Sequence, residues 1–382
     1  MRVLHVFPVS DIGGAENVSL NLMRYRQRAD IEHHAVVISD NAGPLAEELI
    51  RIGIPWTHVP RGRMRQPIAV WRACRAVRQV ALNSMIDVLL ANSPQGFLYA
   101  RLATLGLRRP VALYYMRIPR KRLWANNLLD LLMAIARPAS VFTASRRIEQ
   151  IVSGWGLRNV VAVHHGTPQE PLGVDALEQV HRTLAPLGVL TDDPVVVLPG
   201  RLQLWKGQRV LIAAWTEVLR FFPRAHAVLL GGSLFGMSYD YPHRLRREIA
   251  DLGLTERVHL VGHQSVRGWF ARAAAVVHAS IEPDPFPNVC IEALAACRPL
   301  ITNSLSGTCE ILSNNIDCLI VAPNDPRDLA AAIINVLSDP AWSERVAAAG
   351  FDLYQSTCTP GHMVEPIEAT LSELARQHPI RT

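Results

Sequence analysis

The chain is short of lysine. Of its 39 Lys and Arg residues only Lys121 and Lys206 are lysine, so each marks a place where a compact ammonium was kept against a general choice of guanidinium. Metal-ligand spacing is missing as well. The six cysteines (Cys74, Cys290, Cys297, Cys309, Cys318 and Cys358) form no CxxC pair, which argues against a zinc ribbon and fits free thiols in a reducing cytoplasm. No apolar run approaches the roughly 18 residues that cross a bilayer. The most apolar stretch, 123–141, is broken by Asp130, Arg137 and Pro138. The opening "MRVLHVFPVSDIGG" carries one Arg and a short apolar run, and is expected to be a first strand, not a leader. No GxGxxG occurs, so a dinucleotide fingerprint is lacking.

What is present is a folded composition: 49% hydrophobic and 19% charged over 382 residues, with no low-complexity tract. That length suits two domains better than one core. Charge is uneven. Residues 1–180 hold 22 Arg/Lys against 13 Asp/Glu, and residues 181–382 hold 17 against 20. The basic half contains "RYRQR" (24–28), "RGRMRQPIAVWRACRAVR" (61–78) and "RIPRKRLW" (117–124). These read either as solvated helix faces or as a surface for anionic lipid headgroups or an acidic acceptor. No nucleic-acid motif accompanies them, so nucleic acid is not an expected partner.

Apolar strand segments alternate with helical ones. Strands are predicted at 3–9, 35–38, 88–91, 111–115, 140–143 and 160–163, with helices at 15–26, 44–52, 69–82 and 146–155. After residues 166–192 the alternation restarts. Strands follow at 195–199, 227–230, 258–260, 275–278, 300–302 and 318–321, with helices at 208–221, 243–252, 267–273, 288–296 and 326–337. Short polar turns between such segments indicate parallel α/β sheets. The expected organisation is an N-terminal Rossmann-like domain over 1–175 and a second over 190–360. A terminal segment, 361–382, carries an amphipathic helix expected to pack back on the first domain. Ligands of such domains bind at the carboxyl ends of strands, which makes a cleft between the two the expected active site.

Five stretches carry candidate chemistry. In "PVSDIGGAENVSLNLM", Gly13 and Gly14 permit a tight turn and close approach of a phosphate to a helix N-terminus, or serve only as a strand-to-helix connection. In "VVVLPGRLQLWKGQ", Arg201 and Lys206 follow a buried strand and could neutralise a diphosphate leaving group. "LLGGS" places Gly232 at a strand end, and "HLVGHQ" places His263 likewise, where a base could lie or where the turn is merely a turn. In "SIEPDPFPNVCIEALAACRPL", prolines 283, 285 and 287 hold an extended approach to a helix beginning at Asn288. Asp284 lies before that helix and Glu292 one turn inside it.

"GGAE", "GRLQLWKG", "DPFPNVCIEALAACRPLI" and "NSLSGTCEIL", in this order across two α/β domains, resemble the GT-B retaining glycosyltransferases of the family 4-like, group 1 type. The resemblance is densest over 195–340. That family's signature is an acid, seven intervening residues and a glutamate, which assigns Asp284 and Glu292 and leaves Glu282 outside. The resemblance implies a nucleotide-sugar donor, no required cofactor and no metal; the acid pair "DD" at 192–193 lies in the linker. It implies that Arg201 and Lys206 hold the diphosphate, that Asp284 bonds donor-sugar hydroxyls, and that backbone N–H groups at Phe286, Asn288 and Val289 contact sugar and phosphate. Glu292 is implied to hold the ribose, with the Gly13–Gly14 turn meeting the diphosphate.

Two departures stand out. Pro287 occupies a place where the family commonly has glycine, which removes one N–H, and Arg117 stands near where many members carry a reacting histidine. The expected donor is a UDP-sugar, with glucose leading and GDP-mannose the runner-up. The expected acceptor is a glycan or lipid-linked oligosaccharide in polysaccharide biosynthesis. The expected location is cytoplasmic, with peripheral contact at the inner face of the cytoplasmic membrane as the sharper reading of the basic half. A glycoside hydrolase, a nucleotide-sugar epimerase and a non-catalytic nucleotide-sugar-binding protein are the competing readings.

Overall fold

The computed structural model describes residues 1–61, 66–119, 128–169, 172–232 and 240–379. Lys121, Ser233 and the arginines at 63, 65, 120 and 122 lie outside them. The chain divides into two compact units: Met1–Gly166 with Pro360–Thr382, and Thr167–Thr359.

In the first unit the strands are β1 (Arg2–Phe7), β2 (Glu32–Ser39), β3 (Trp56–Pro60), β4 (Val88–Ala91), β5 (Val111–Tyr115), β6 (Ser140–Thr143) and β7 (Val160–Ala162). Helices α1 (Gly14–Arg24), α2 (Gly43–Arg51), α3 (Pro67–Asn83), α4 (Pro94–Ala103), α5 (Leu128–Ala136) and α6 (Arg146–Ser153) lie between them. The sheet is parallel, ordered β3-β2-β1-β4-β5-β6-β7. Strands β4, β5 and β6 are buried along their whole length, as a parallel sheet covered on both faces requires.

Part of this unit's core comes from the far end of the sequence. Helix α14 (Pro360–Gln377) inserts Met363, Val364, Ile367, Leu371 and Leu374 among Val3, Leu22, Val88 and Tyr114. The spacing is one helical stripe. Glu368 on the same helix is buried and accepts from the backbone N–H groups of Gln27 (3.2 Å) and Arg28 (3.1 Å).

The second unit opens with α7 (Val174–Leu184). Its strands are β8 (Val195–Pro199), β9 (His226–Leu230), β10 (Val258–Gly262), β11 (Ala275–Val277), β12 (Leu300–Asn303) and β13 (Leu319–Val321). Its remaining helices are α8 (Gln208–Phe221), α9 (Tyr241–Asp251), α10 (Val266–Arg272), α11 (Asn288–Ala295), α12 (Pro326–Ser338) and α13 (Pro340–Thr357). The strand order is β10-β9-β8-β11-β12-β13, all parallel. From β8 the sheet grows first one way, through β9 and β10, and then the other, through β11 to β13. The connections leaving β8 and β11 therefore part to opposite faces and open a crevice at their carboxyl ends.

Candidate active site

Glycines set the floor of that crevice. Gly207 has φ +73° and ends a 3₁₀ turn, Leu204–Lys206, before α8. A Cβ on it would sit 1.8 Å from the carbonyl oxygen of Ala279, so only glycine lets the loop after β8 touch the segment after β11. The same two segments are tied by Ile281 N–H donating to the Trp205 carbonyl at 2.8 Å. A third segment joins them: Asp284 N–H donates to Leu305 (3.1 Å) and Gly307 N–H to the Asp284 carbonyl (2.8 Å). A Cβ on Gly307 would lie 1.7 Å from the Pro285 carbonyl oxygen. Loops following β8, β11 and β12 thus converge on residues 278–285.

This convergence puts Lys206 Nζ 2.6 Å from Asp284 Oδ2, across 78 residues of sequence. The ammonium also lies 4.1 Å from the centre of the Trp205 ring. Asp284 is 7% exposed, and burial alone would raise its carboxyl. Hydrogen bonding from His278 and the charge of Lys206 overcome that and hold it well below the usual carboxylate range. Glu282 is exposed and stands outside this network.

Arg201 and Lys206, read together from sequence, are placed differently. Lys206 is committed to Asp284. The Arg201 guanidinium has no hydrogen bond or ion pair among the described residues, while its carbonyl accepts from Gln208 Nε2 at 2.8 Å. Gly232 and His263 meet at the ends of β9 and β10: a Cβ on Gly232 would be 3.6 Å from His263 Cβ. His263 is exposed. Gly231, at φ +159°, packs so close that a Cβ there would be 2.0 Å from the Gly200 carbonyl oxygen, which draws the β8 and β9 ends together.

Phe286 is buried (2% exposed) and Pro287 caps α11 with φ −65° and ψ 121°. Asn288 and Val289 form the first helical turn of α11. Pro287 contributes no N–H at this turn. Glu292 lies one turn on. Its carboxylate makes no hydrogen bond or ion pair among the described residues, and burial pushes it up to about 7 against the opposing charge of Arg267 on α10. The two acids of one signature thus sit in opposite electrostatic environments.

Three further sequence candidates belong to the first unit. Gly13 caps α1, and its N–H is taken by Glu16 Oε2 at 3.0 Å. Gly14 is the first residue of that helix. Arg117 follows β5 and lies 3.6 Å from Asp130 Oδ1, which also accepts from Tyr115 OH at 3.2 Å. Asp130 is 2% exposed; burial raises its carboxyl and Arg117 opposes that. Arg117 therefore serves as counter-ion to a buried acid. Sequence reading missed Asp130 because a single acid in an apolar helix gives no periodic signal. It also missed His278, which looks like the end of a strand.

Two family matches divide the chain. The family described as glycosyl transferases group 1 matches residues 182–352, and the glycosyl transferase 4-like domain matches residues 13–170. A D-inositol 3-phosphate glycosyltransferase of Frankia alni is 29% identical over 170 residues, covering 43% of this chain and 42% of that protein. A lipopolysaccharide core biosynthesis glycosyltransferase of Rhizobium meliloti, LpsD, is 33% identical over 168 residues, 44% of this chain and 46% of that one. The chain thus matches less than half the length of these curated relatives. Among solved structures, Anabaena Alr3699/HepE in complex with UDP-glucose superposes with a TM-score of 0.83 at 22% identity, covering 98% of this chain and all of that one. A glycosyltransferase from Rickettsia africae superposes at 0.81, with 20% identity and 98% of each chain covered. The shared architecture is GT-B, two parallel-sheet Rossmann-like domains of seven and six strands.

Proposed function

We propose that this chain, which belongs to the group 1 glycosyltransferases, transfers glucose from UDP-glucose to a glycan or lipid-linked acceptor with retention of anomeric configuration and without a metal. The observation that carries the reading is the Lys206–Asp284 pair at the strand-order reversal; Arg201 lies on the same loop after β8, its guanidinium without a hydrogen bond or ion pair among the described residues. Asp284 accepts from sugar hydroxyls. Arg201 takes the charge that develops on the diphosphate as its bond to the sugar breaks, a role that elsewhere falls to a metal ion, and Lys206, paired through one N–H with Asp284, adds its remaining N–H donors. First-turn N–H groups of α11 add to that stabilisation. Glu292 holds the ribose. Retention follows from attack on the face the leaving group vacates, with no protein nucleophile. The choice of UDP and glucose is favoured by the solved neighbour that carries UDP-glucose.

Peripheral membrane contact is part of this reading. Helix α3 exposes Ile68, Trp71, Arg72 and Arg75, with the Arg75 guanidinium carbon 5.5 Å from the Trp71 ring centre. An aromatic flanked by arginines suits the headgroup layer of an anionic bilayer. The deciding experiment is a thermal-shift screen of UDP, GDP, ADP and their sugars, followed by UDP release from UDP-glucose with acceptor extract in EDTA. Stabilisation by UDP ligands alone and EDTA-insensitive release are expected. Selectivity for GDP-mannose would replace the donor, a requirement for added divalent ion would overturn the metal-free step, and binding with no labelled acceptor would favour a non-catalytic binder.

A further inference from the structure

His278 follows β11 directly and is 4% exposed. Its backbone N–H donates to the Ile301 carbonyl at 2.8 Å, which fixes the residue beside β12. The ring is held at both nitrogens. Nδ1 is 3.0 Å from Thr302 Oγ1, and Nε2 is 2.9 Å from Ser280 Oγ and 3.3 Å from Asp284 Oδ2. Cys290 of α11 closes the far side, its Sγ 3.9 Å from Thr302 Oγ1. Both contacts to Asp284, from Lys206 and from His278, go to the same oxygen. Oδ1 has no hydrogen-bond partner among the described residues.

We propose that His278 is a positioning residue that fixes which carboxylate oxygen Asp284 presents to the donor sugar; this rests on the donor reading above. A carboxylate held by one flexible lysine can swing about its Cβ–Cγ bond and exchange its two oxygens. A second donor, mounted on a buried ring clamped by two hydroxyls, removes that freedom. Lys206 and His278 then share Oδ2, and Oδ1 alone is left to accept from a sugar hydroxyl. The imidazole suits the task because each hydroxyl partner can donate or accept, so Nε2 can carry the N–H that a carboxylate needs. Pre-orienting an acceptor in this way improves sugar binding without touching the nucleotide.

The test is calorimetric titration of the full chain, His278→Ala and His278→Gln with UDP and with UDP-glucose. Removing the imidazole is expected to weaken UDP-glucose by about tenfold while UDP changes by less than about twofold. Glutamine, whose amide N–H reaches toward the place of Nε2, is expected to recover most of the loss. If His278→Ala binds UDP-glucose as the unaltered chain does, the assignment is wrong. Parallel loss of UDP and UDP-glucose would mean that His278 only supports the fold. An unaltered chain that binds neither nucleotide would sink the donor reading itself, and this assignment with it.

Discussion

At the scale of single residues, the pair of acids gives the sharpest expectations. Asp284→Asn keeps the shape but loses the charge that Lys206 and His278 face, so transfer should fall by roughly 100-fold or more. Glu282→Ala should stay close to the unaltered rate, because Glu282 is exposed and outside the network. Equal losses in steady-state assays of the two variants would refute the register. Two groups weaken the fold as pH rises, against buried His5, His33 and His259, which burial holds below 6.5, and Asp284, whose neighbours hold it below the usual carboxylate range; these four act on the acid side. His278 is fully buried, which disfavours its charge, yet the facing Cys290 and Asp284 outweigh burial and raise it to about 9 from 6.5. Its contribution is complete below 6.5 and is lost as pH rises through about 9. Glu292 is raised from 4.5 to about 7 by burial, so the folded state prefers it protonated; that preference is complete below 4.5 and is lost as pH rises through about 7. Both effects make the protein less stable on the alkaline side. Glu292→Gln should remove the Glu292 share of the pH dependence between pH 4.5 and 7, a gain at pH 8 relative to the unaltered chain of at most about 3 kcal/mol, while weakening UDP. Denaturant titrations at pH 5, 7 and 8.5 would show it; an unchanged pH slope would contradict the assignment.

At the scale of elements, loops after strands do the positioning and glycines permit it. Gly207→Ala forces a side chain into the left-handed region and into the Ala279 carbonyl, so the contact between the loops after β8 and β11 must open. Its expected cost is roughly 2–4 kcal/mol, with Lys206 drawn off Asp284. A melting temperature within a degree or two of the unaltered chain, together with intact UDP-glucose affinity, would show that the contact is dispensable. Strands buried on both faces were legible from apolar runs: 111–115, 140–143 and 195–199 coincide with β5, β6 and β8. Strand β3, "WTHVP", was not. It is an edge strand with a single buried residue, so it carries little hydrophobic pattern. Helix α13 (Pro340–Thr357) was missed because the sequence pattern ends at α12 and its buried positions include Ser343 and Gly350.

At the scale of the whole molecule, each unit allows its own test. Cutting the chain after residue 359 removes Met363, Val364, Ile367, Leu371 and Leu374 from the first unit's core. Amide exchange should then quicken in β1, β4 and β5, while β8 and β9 keep their protection. Unchanged exchange in β1 would show that α14 is not a structural part of that unit. The charge excess of residues 1–180 predicts a second behaviour. Replacing Arg72 and Arg75 of α3 by glutamine should reduce binding to vesicles containing anionic lipid, and added salt should weaken what remains. Vesicle binding indifferent to both would refute the lipid-facing reading of α3.

The sequence by itself determined the two rounds of strand–helix alternation, the glycines at strand ends, the singular Lys206 and the seven-residue spacing between Asp284 and Glu292. Each of these is local: burial periodicity, turn chemistry and spacing are written in consecutive residues. Only the tertiary structure decided that Lys206 spends its charge on Asp284 and that His278 shares the same oxygen. It also decided that Arg117 neutralises buried Asp130, and which residues of the first unit the last helix packs against. Those outcomes depend on which strand ends the sheet order brings side by side, and on how much water each carboxylate loses there. Neither quantity is carried by residue type or spacing. In "SIEPDPFPNVCIEALAACRPL" the sequence names the acids, and the fold gives one of them its charge and the other its reluctance to ionise.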